Sequence, residues 1–130
     1  MEKYVLDSFP LLVYFQGEPG KDKVIEILRS ESEIYLNWIN LGEVFYIIAR
    51  KRNLKIASEV LAFIKHLPIH LIQASPDVII AAARIKAQYP MAYADSFVVA
   101  TALSVNGTII TGDPEFKTVE SKLKILWMGK

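Results

Sequence analysis

Four carboxylates stand far apart in this chain, at Asp7, Glu43, Asp95 and Asp113. Brought together they could do chemistry that none does alone. Two carboxylates about 5 Å apart at an effective dielectric of about 20 repel by roughly 3 kcal/mol. A cluster of four must therefore protonate, splay apart or hold a cation. The chain has no Cys, and its two histidines, His66 and His70, are separated by Pro68, so they share no helix face. Oxygen-only ligands select a hard ion, Mg²⁺ or Mn²⁺. Such an ion can lower the pKa of a coordinated water, orient a phosphate and stabilise a leaving oxygen.

Each carboxylate also has an ordinary structural use. Asp7 could cap a helix that starts near Pro10. Glu43 stands three residues after Asn40, the spacing of a capping box. Asp95 suits a helix N-terminus through the dipole, and Asp113 lies in the turn-like Gly112-Asp113-Pro114. Any one of them is explained this way. Four on one edge of a fold are not.

Placement therefore decides the matter, and the elements are legible. Lys3 to Leu6 is β-prone and ends at Asp7. A helical stretch follows from about Pro10, with Leu11, Leu12, Tyr14 and Phe15, and Gly17-Glu18-Pro19-Gly20 makes a turn. Val24, Ile25 and Leu28 give Lys21 to Arg29 helical spacing. Ile34 to Trp38 reads as the second strand, and a helix capped by Asn40 runs to about Arg52. Another covers about Leu54 to Leu67. Ile69 to Ile72 reads as a third strand. Ser75-Pro76 opens a helix to about Tyr89. Ala92 to Val105 forms the next, closed by Asn106-Gly107. Thr108 to Thr111 and Lys124 to Met128 complete the strands. Alternating strands and helices predict an α/β fold with a parallel sheet. Sites in such sheets form beyond the carboxyl ends of the strands. Asp7 and Asp113 fall on that edge directly, and Glu43 does if its helix starts just after the second strand. Asp95 follows a helix and a turn, so the strand pattern alone does not place it.

The bulk composition narrows the classes. A length of 130 residues suits one domain, residues 1–130, that needs no disulfide. Hydrophobic residues at 52% against 22% charged exclude disorder. No apolar run approaches the ~18 residues of a membrane span, and the first residues lack a signal-peptide pattern. The expected location is the cytoplasm. A net charge of +1 is low for a protein that binds nucleic acid by bulk electrostatics. Such contact would need local basic patches, metal or a partner subunit. The run Arg50-Lys51-Arg52 with Lys55 reads first as a solvated helix C-terminus that suits the dipole. Tyr14, Phe15, Phe45 and Tyr46 read as core or dimer contacts. No glycine-rich phosphate loop occurs.

The ordered set Tyr4-Val5-Leu6-Asp7-Ser8, Asn40-Leu41-Gly42-Glu43-Val44, Tyr93-Ala94-Asp95-Ser96-Phe97-Val98-Val99-Ala100-Thr101-Ala102 and Thr111-Gly112-Asp113-Pro114-Glu115-Phe116 resembles the PIN domain family, and within it the VapC-like toxin ribonucleases. The resemblance implies a three-layer fold with a five-stranded parallel sheet flanked by helices. It implies a Mg²⁺- or Mn²⁺-dependent endoribonuclease acting on single-stranded RNA. Asp7 and Asp95 match the family's most regular metal ligands, and Glu43 and Asp113 its other acidic positions. Ser8 and Thr111 match supporting hydroxyl positions. Asn40 stands where the pattern often has Ser or Thr. Family toxins commonly form homodimers and bind an antitoxin. A processing nuclease of the same fold without an antitoxin, or a silent PIN-like binding module, are the alternatives. Two other α/β classes fit poorly. A haloacid-dehalogenase-like phosphatase wants a second Asp where Phe9 stands. A receiver domain wants an acidic pair where Ser8 follows Asp7.

Overall fold

The computed structural model describes residues 1–128. Within these residues, five strands form one all-parallel sheet: β1 (Lys3–Leu6), β2 (Glu33–Asn37), β3 (His70–Ile72), β4 (Thr108–Thr111) and β5 (Ile125–Trp127). Their order is β3-β2-β1-β4-β5. The connections run outward from β1 to one side and later return to its other side. The order of strands thus reverses between β1 and β4, which opens a crevice beyond their carboxyl ends.

Among the described residues, six helices cover the sheet. They are α1 (Ser8–Gln16), α2 (Lys21–Arg29), α3 (Trp38–Lys51), α4 (Leu54–Lys65), α5 (Pro76–Gln88) and α6 (Tyr93–Val105), with a 3₁₀ helix at Pro114–Val119. Strand residues alternate between two apolar layers. Leu6, Ile34, Leu36 and Ile110 face α1 to α4, among Leu11, Val24, Val44 and Ile64. Val5 and Ile109 face the opposite way, onto Val98, Val99 and Ala102 of α6 and onto Phe116 and Val119 of the 3₁₀ helix. Ala82 of α5 packs against Phe97 and Ala100 of α6. Both faces of the sheet are covered, so the central strands β1 and β4 carry apolar residues on both sides. This is the expected three-layer α/β architecture. Among the described residues no helix is long and apolar enough to cross a membrane.

Local sequence explains most element ends. Gly17 closes α1 at φ 64, a left-handed conformation natural to glycine, and its N–H bonds back to the Val13 carbonyl. Asn106 does the same for α6 at φ 59. Ser75 caps α5 and Asn53 caps α4, each accepting from a first-turn N–H.

Several expected element ends shift by one or two residues, and one of these corrections bears on the site. The second strand ends at Asn37, not Trp38, and Trp38 opens α3. The N-cap is Asn37, whose Oδ1 accepts from the Ile39 N–H at 2.9 Å. Asn40 is therefore inside the helix and caps nothing, and Glu43 lies beyond the first turn rather than in a capping box. The cause is the sheet. Asn37 still pairs with Ile72 of β3, and it is fully buried. The chain turns as soon as that pairing ends, and the first of the two cap-competent asparagines takes the cap.

Candidate metal centre

Asp7 leaves the end of β1 at the N-cap position of α1, but its side chain caps nothing. Instead the Thr111 hydroxyl donates to Asp7 Oδ2 at 2.8 Å. Register explains the meeting. Leu6 pairs with Ile110, so the residues just beyond, Asp7 and Thr111, lie side by side. The same Thr111 oxygen accepts the Asp113 N–H at 2.9 Å. One buried hydroxyl thus ties the end of β1 to the turn after β4. Gly112 in that turn makes room for Phe9, whose ring would have to shift for a Cβ that would lie 2.5 Å from it.

Glu43 projects from α3, which starts directly at the end of β2. Asp95 sits in the first turn of α6 and is only 4% exposed. It opens a run of buried residues from Asp95 to Ala102, because α6 is sandwiched between the sheet and other helices. An apolar-all-round helix is buried on every side. That is why no amphipathic stripe in the sequence announces where Asp95 points. Asp113 begins the 3₁₀ helix, and its Oδ1 accepts from the Glu115 N–H at 2.9 Å. The turn role expected of Asp113 and its place beside the cluster therefore coexist.

Asp7, Glu43 and Asp95 each offer a carboxylate oxygen, all within 4.8 Å of one another. Asp95, Asp113 and Glu115 form a second such trio. Asp95 belongs to both, so Asp113 meets the rest through Asp95. Glu115 carries no role in the sequence reading. It is exposed, and its Oε1 accepts the Ala92 N–H at 3.1 Å, bracing the entry to α6. Pro114 at the first position of the 3₁₀ helix was the available signal, since it makes the tight turn that brings Asp113 and Glu115 to one place.

The electrostatics follow from burial. Desolvation pushes the Asp7 carboxyl up to about 6, against the opposing pull of its bonds from Thr111 and the Ser8 backbone, with Glu43 and Asp113 adding repulsion. Asp95 is pushed up to about 8, first by burial and then by the charges of Asp7, Asp113 and Glu43. Burial also raises Glu43, while the neighbouring Ser8 and Asn40 side chains act in the other direction. Among the described residues, Asp7 Oδ1 and Glu43 Oε1 are buried without a hydrogen-bond partner. A buried carboxylate oxygen left without a donor is costly. Hard anionic oxygens in this state are what a small divalent cation satisfies, so the residues fit such an ion.

Comparison with known proteins places the chain. Its sequence matches the family model described as the PIN domain over residues 4–122. No curated protein matches. Among solved structures, the VapBC2 complex of Rickettsia felis bound to a promoter DNA fragment is similar at 15% identity and a TM-score of 0.76, covering 98% of this chain and 99% of that one. The Mycobacterium tuberculosis toxin VapC20, which cleaves the sarcin-ricin loop, is similar at 12% identity and a TM-score of 0.77, covering 92% and 95%. DNA-bound VapBC of Salmonella typhimurium is similar at 18% identity and a TM-score of 0.76, covering 97% and 98%. At these identities the likeness is one of fold. With its parallel sheet, its acidic residues meeting beyond β1 and β4, and a family model running from Tyr4 to Lys122, the chain belongs to the PIN domain family.

Proposed function

We propose that this chain, acting as a single PIN domain, is a Mg²⁺- or Mn²⁺-dependent endoribonuclease for single-stranded RNA and the toxin of a toxin–antitoxin pair. The observation that carries the reading is the pair of buried oxygens without partners, Asp7 Oδ1 and Glu43 Oε1, beside Asp95. Asp7, Glu43 and Asp95 hold the ion. Asp113 completes the acidic set through Asp95, with Glu115 next to it. Thr111 orients Asp7, and Ser8 favours the charged forms of Asp7 and Glu43. When bound, a divalent ion supplies Lewis-acid stabilisation of the phosphate and a more acidic water. Carboxylates with raised pKa values can also take up and release a proton near neutral pH.

RNA as the substrate is supported by the fold likeness to VapC20, a loop-cleaving toxin. An antitoxin partner is supported by the likeness to VapBC complexes. A second copy of the chain is a further partner, as the resemblance to the VapC-like toxins implies. The expected compartment is the cytoplasm.

The test is RNA cleavage with Mg²⁺ or Mn²⁺ by Asp7→Asn and Asp95→Asn. Each should lose activity by about 100-fold or more, the scale for removing a group that stabilises developing charge. Full activity in either variant rejects the assignment. A wild type that neither binds Mn²⁺ nor cleaves RNA is a silent PIN-like module instead.

A further inference from the structure

Two buried asparagines cross from α3 to α6. Asn37 Nδ2 donates to the Thr101 hydroxyl at 3.3 Å, deep along α6. Asn40 Nδ2 donates to the Ala94 carbonyl at 2.9 Å, one residue before Asp95. Both side chains are fully buried. The Asn40 amide can face only one way, because Ala94 O is an acceptor and must meet the NH₂ group. Its Oδ1 is then left buried without a donor. Asn40 also precedes Glu43 by three residues, so the two share a helix face. One side chain therefore bonds the peptide that carries Asp95 from the helix face that carries Glu43. A Ser side chain is shorter and would pull back from Ala94.

We infer that Asn40 is a positioning residue that holds Glu43 and Asp95 at ligand spacing by bonding α3 to the first turn of α6. Glu43 and Asp95 come from elements remote in sequence, and each is repelled by the other. A direct bond across that gap keeps them from splaying before a cation arrives. Partners that orient metal ligands typically contribute 10- to 100-fold, that is about 10- to 100-fold in affinity. The inference rests on the metal reading of the cluster.

The experiment is calorimetric titration of Mn²⁺ into the full, metal-free chain, with thermal melts in EDTA alongside. Asn40→Ala should weaken Mn²⁺ binding about 10- to 100-fold. In a Glu43→Gln background the same change should cost less than about 2-fold more, because its effect passes through Glu43. Thr101→Ala cuts the other α3–α6 link, away from the cluster. It should lower the melting temperature and leave Mn²⁺ affinity at the wild-type value. Asn40→Ser can bond back to its own helix and stay folded. It should show the loss seen with alanine, and it decides the matter if the alanine variant does not fold. Wild-type affinity in a folded Asn40 variant overturns the inference. So does an undiminished Asn40→Ala loss in the Glu43→Gln background, or an equal loss in Thr101→Ala. A wild type that binds no Mn²⁺ overturns the metal reading itself, and the positioning role with it.

Discussion

Asp7 and Asp95 hold their protons unusually late, to about 6 and about 8, and this has two measurable consequences. A divalent ion competes with those protons. Mn²⁺ affinity should therefore rise with pH across the window from about 6 to about 8 and release protons on binding. Titrations in buffers of different ionisation enthalpy read this out, and a pH-independent affinity would contradict it. The second consequence concerns the metal-free fold. Each folded-state pKa is raised above the ordinary value of 3.8, so between that value and the raised one the native state binds more protons than the unfolded state. Stability then falls as pH rises through this window. Asp7→Asn removes the buried charge and keeps an acceptor for Thr111. It should stabilise the metal-free protein at pH 8 by roughly 1–3 kcal/mol. A lower melting temperature than wild type in EDTA would show that Asp7 is not strained by its burial.

At the level of elements, the site depends on how α6 and the 3₁₀ helix seat on the sheet. Phe116 is fully buried beneath the turn that bears Asp113 and Glu115, packed with Val5, Ile109 and Val119. Phe116→Ala should cost about 3–5 kcal/mol, the range for truncating a buried aromatic. Urea denaturation measures it, and a loss under about 1 kcal/mol would mean that the 3₁₀ helix repacks freely. Most elements were legible from local pattern. The caps at Ser75 and Asn106 and the turn at Gly17 follow from backbone chemistry alone. The start of α3 was not legible. Asn37 and Asn40 are equal as caps in isolation, and only strand pairing of Asn37 with Ile72 chose between them. Asn40, freed from capping, became a tie between helices.

For the whole molecule, an ion held at the acidic cluster would couple metal binding to folding. An ion that binds only the native state stabilises it by about 2.7 kcal/mol at a concentration 100 times its Kd. Mn²⁺ should thus raise the melting temperature of the wild type at pH 8 and raise that of Asp7→Asn far less. Equal shifts in both would place Mn²⁺ elsewhere on the surface. The sequence by itself determined the α/β class, the strands that carry Asp7 and Asp113 to one edge, and a donor set of oxygens alone. Those follow from local propensity, periodicity and composition, which neighbouring residues suffice to specify. Tertiary structure alone decided that Asp95 points into the cluster, since its helix is buried from Asp95 to Ala102 and has no polar stripe to orient it. It also decided that Glu115 joins the second trio and that Asn40 reaches Ala94. Such meetings depend on strand order and helix seating between residues distant in the chain, and no local pattern encodes them.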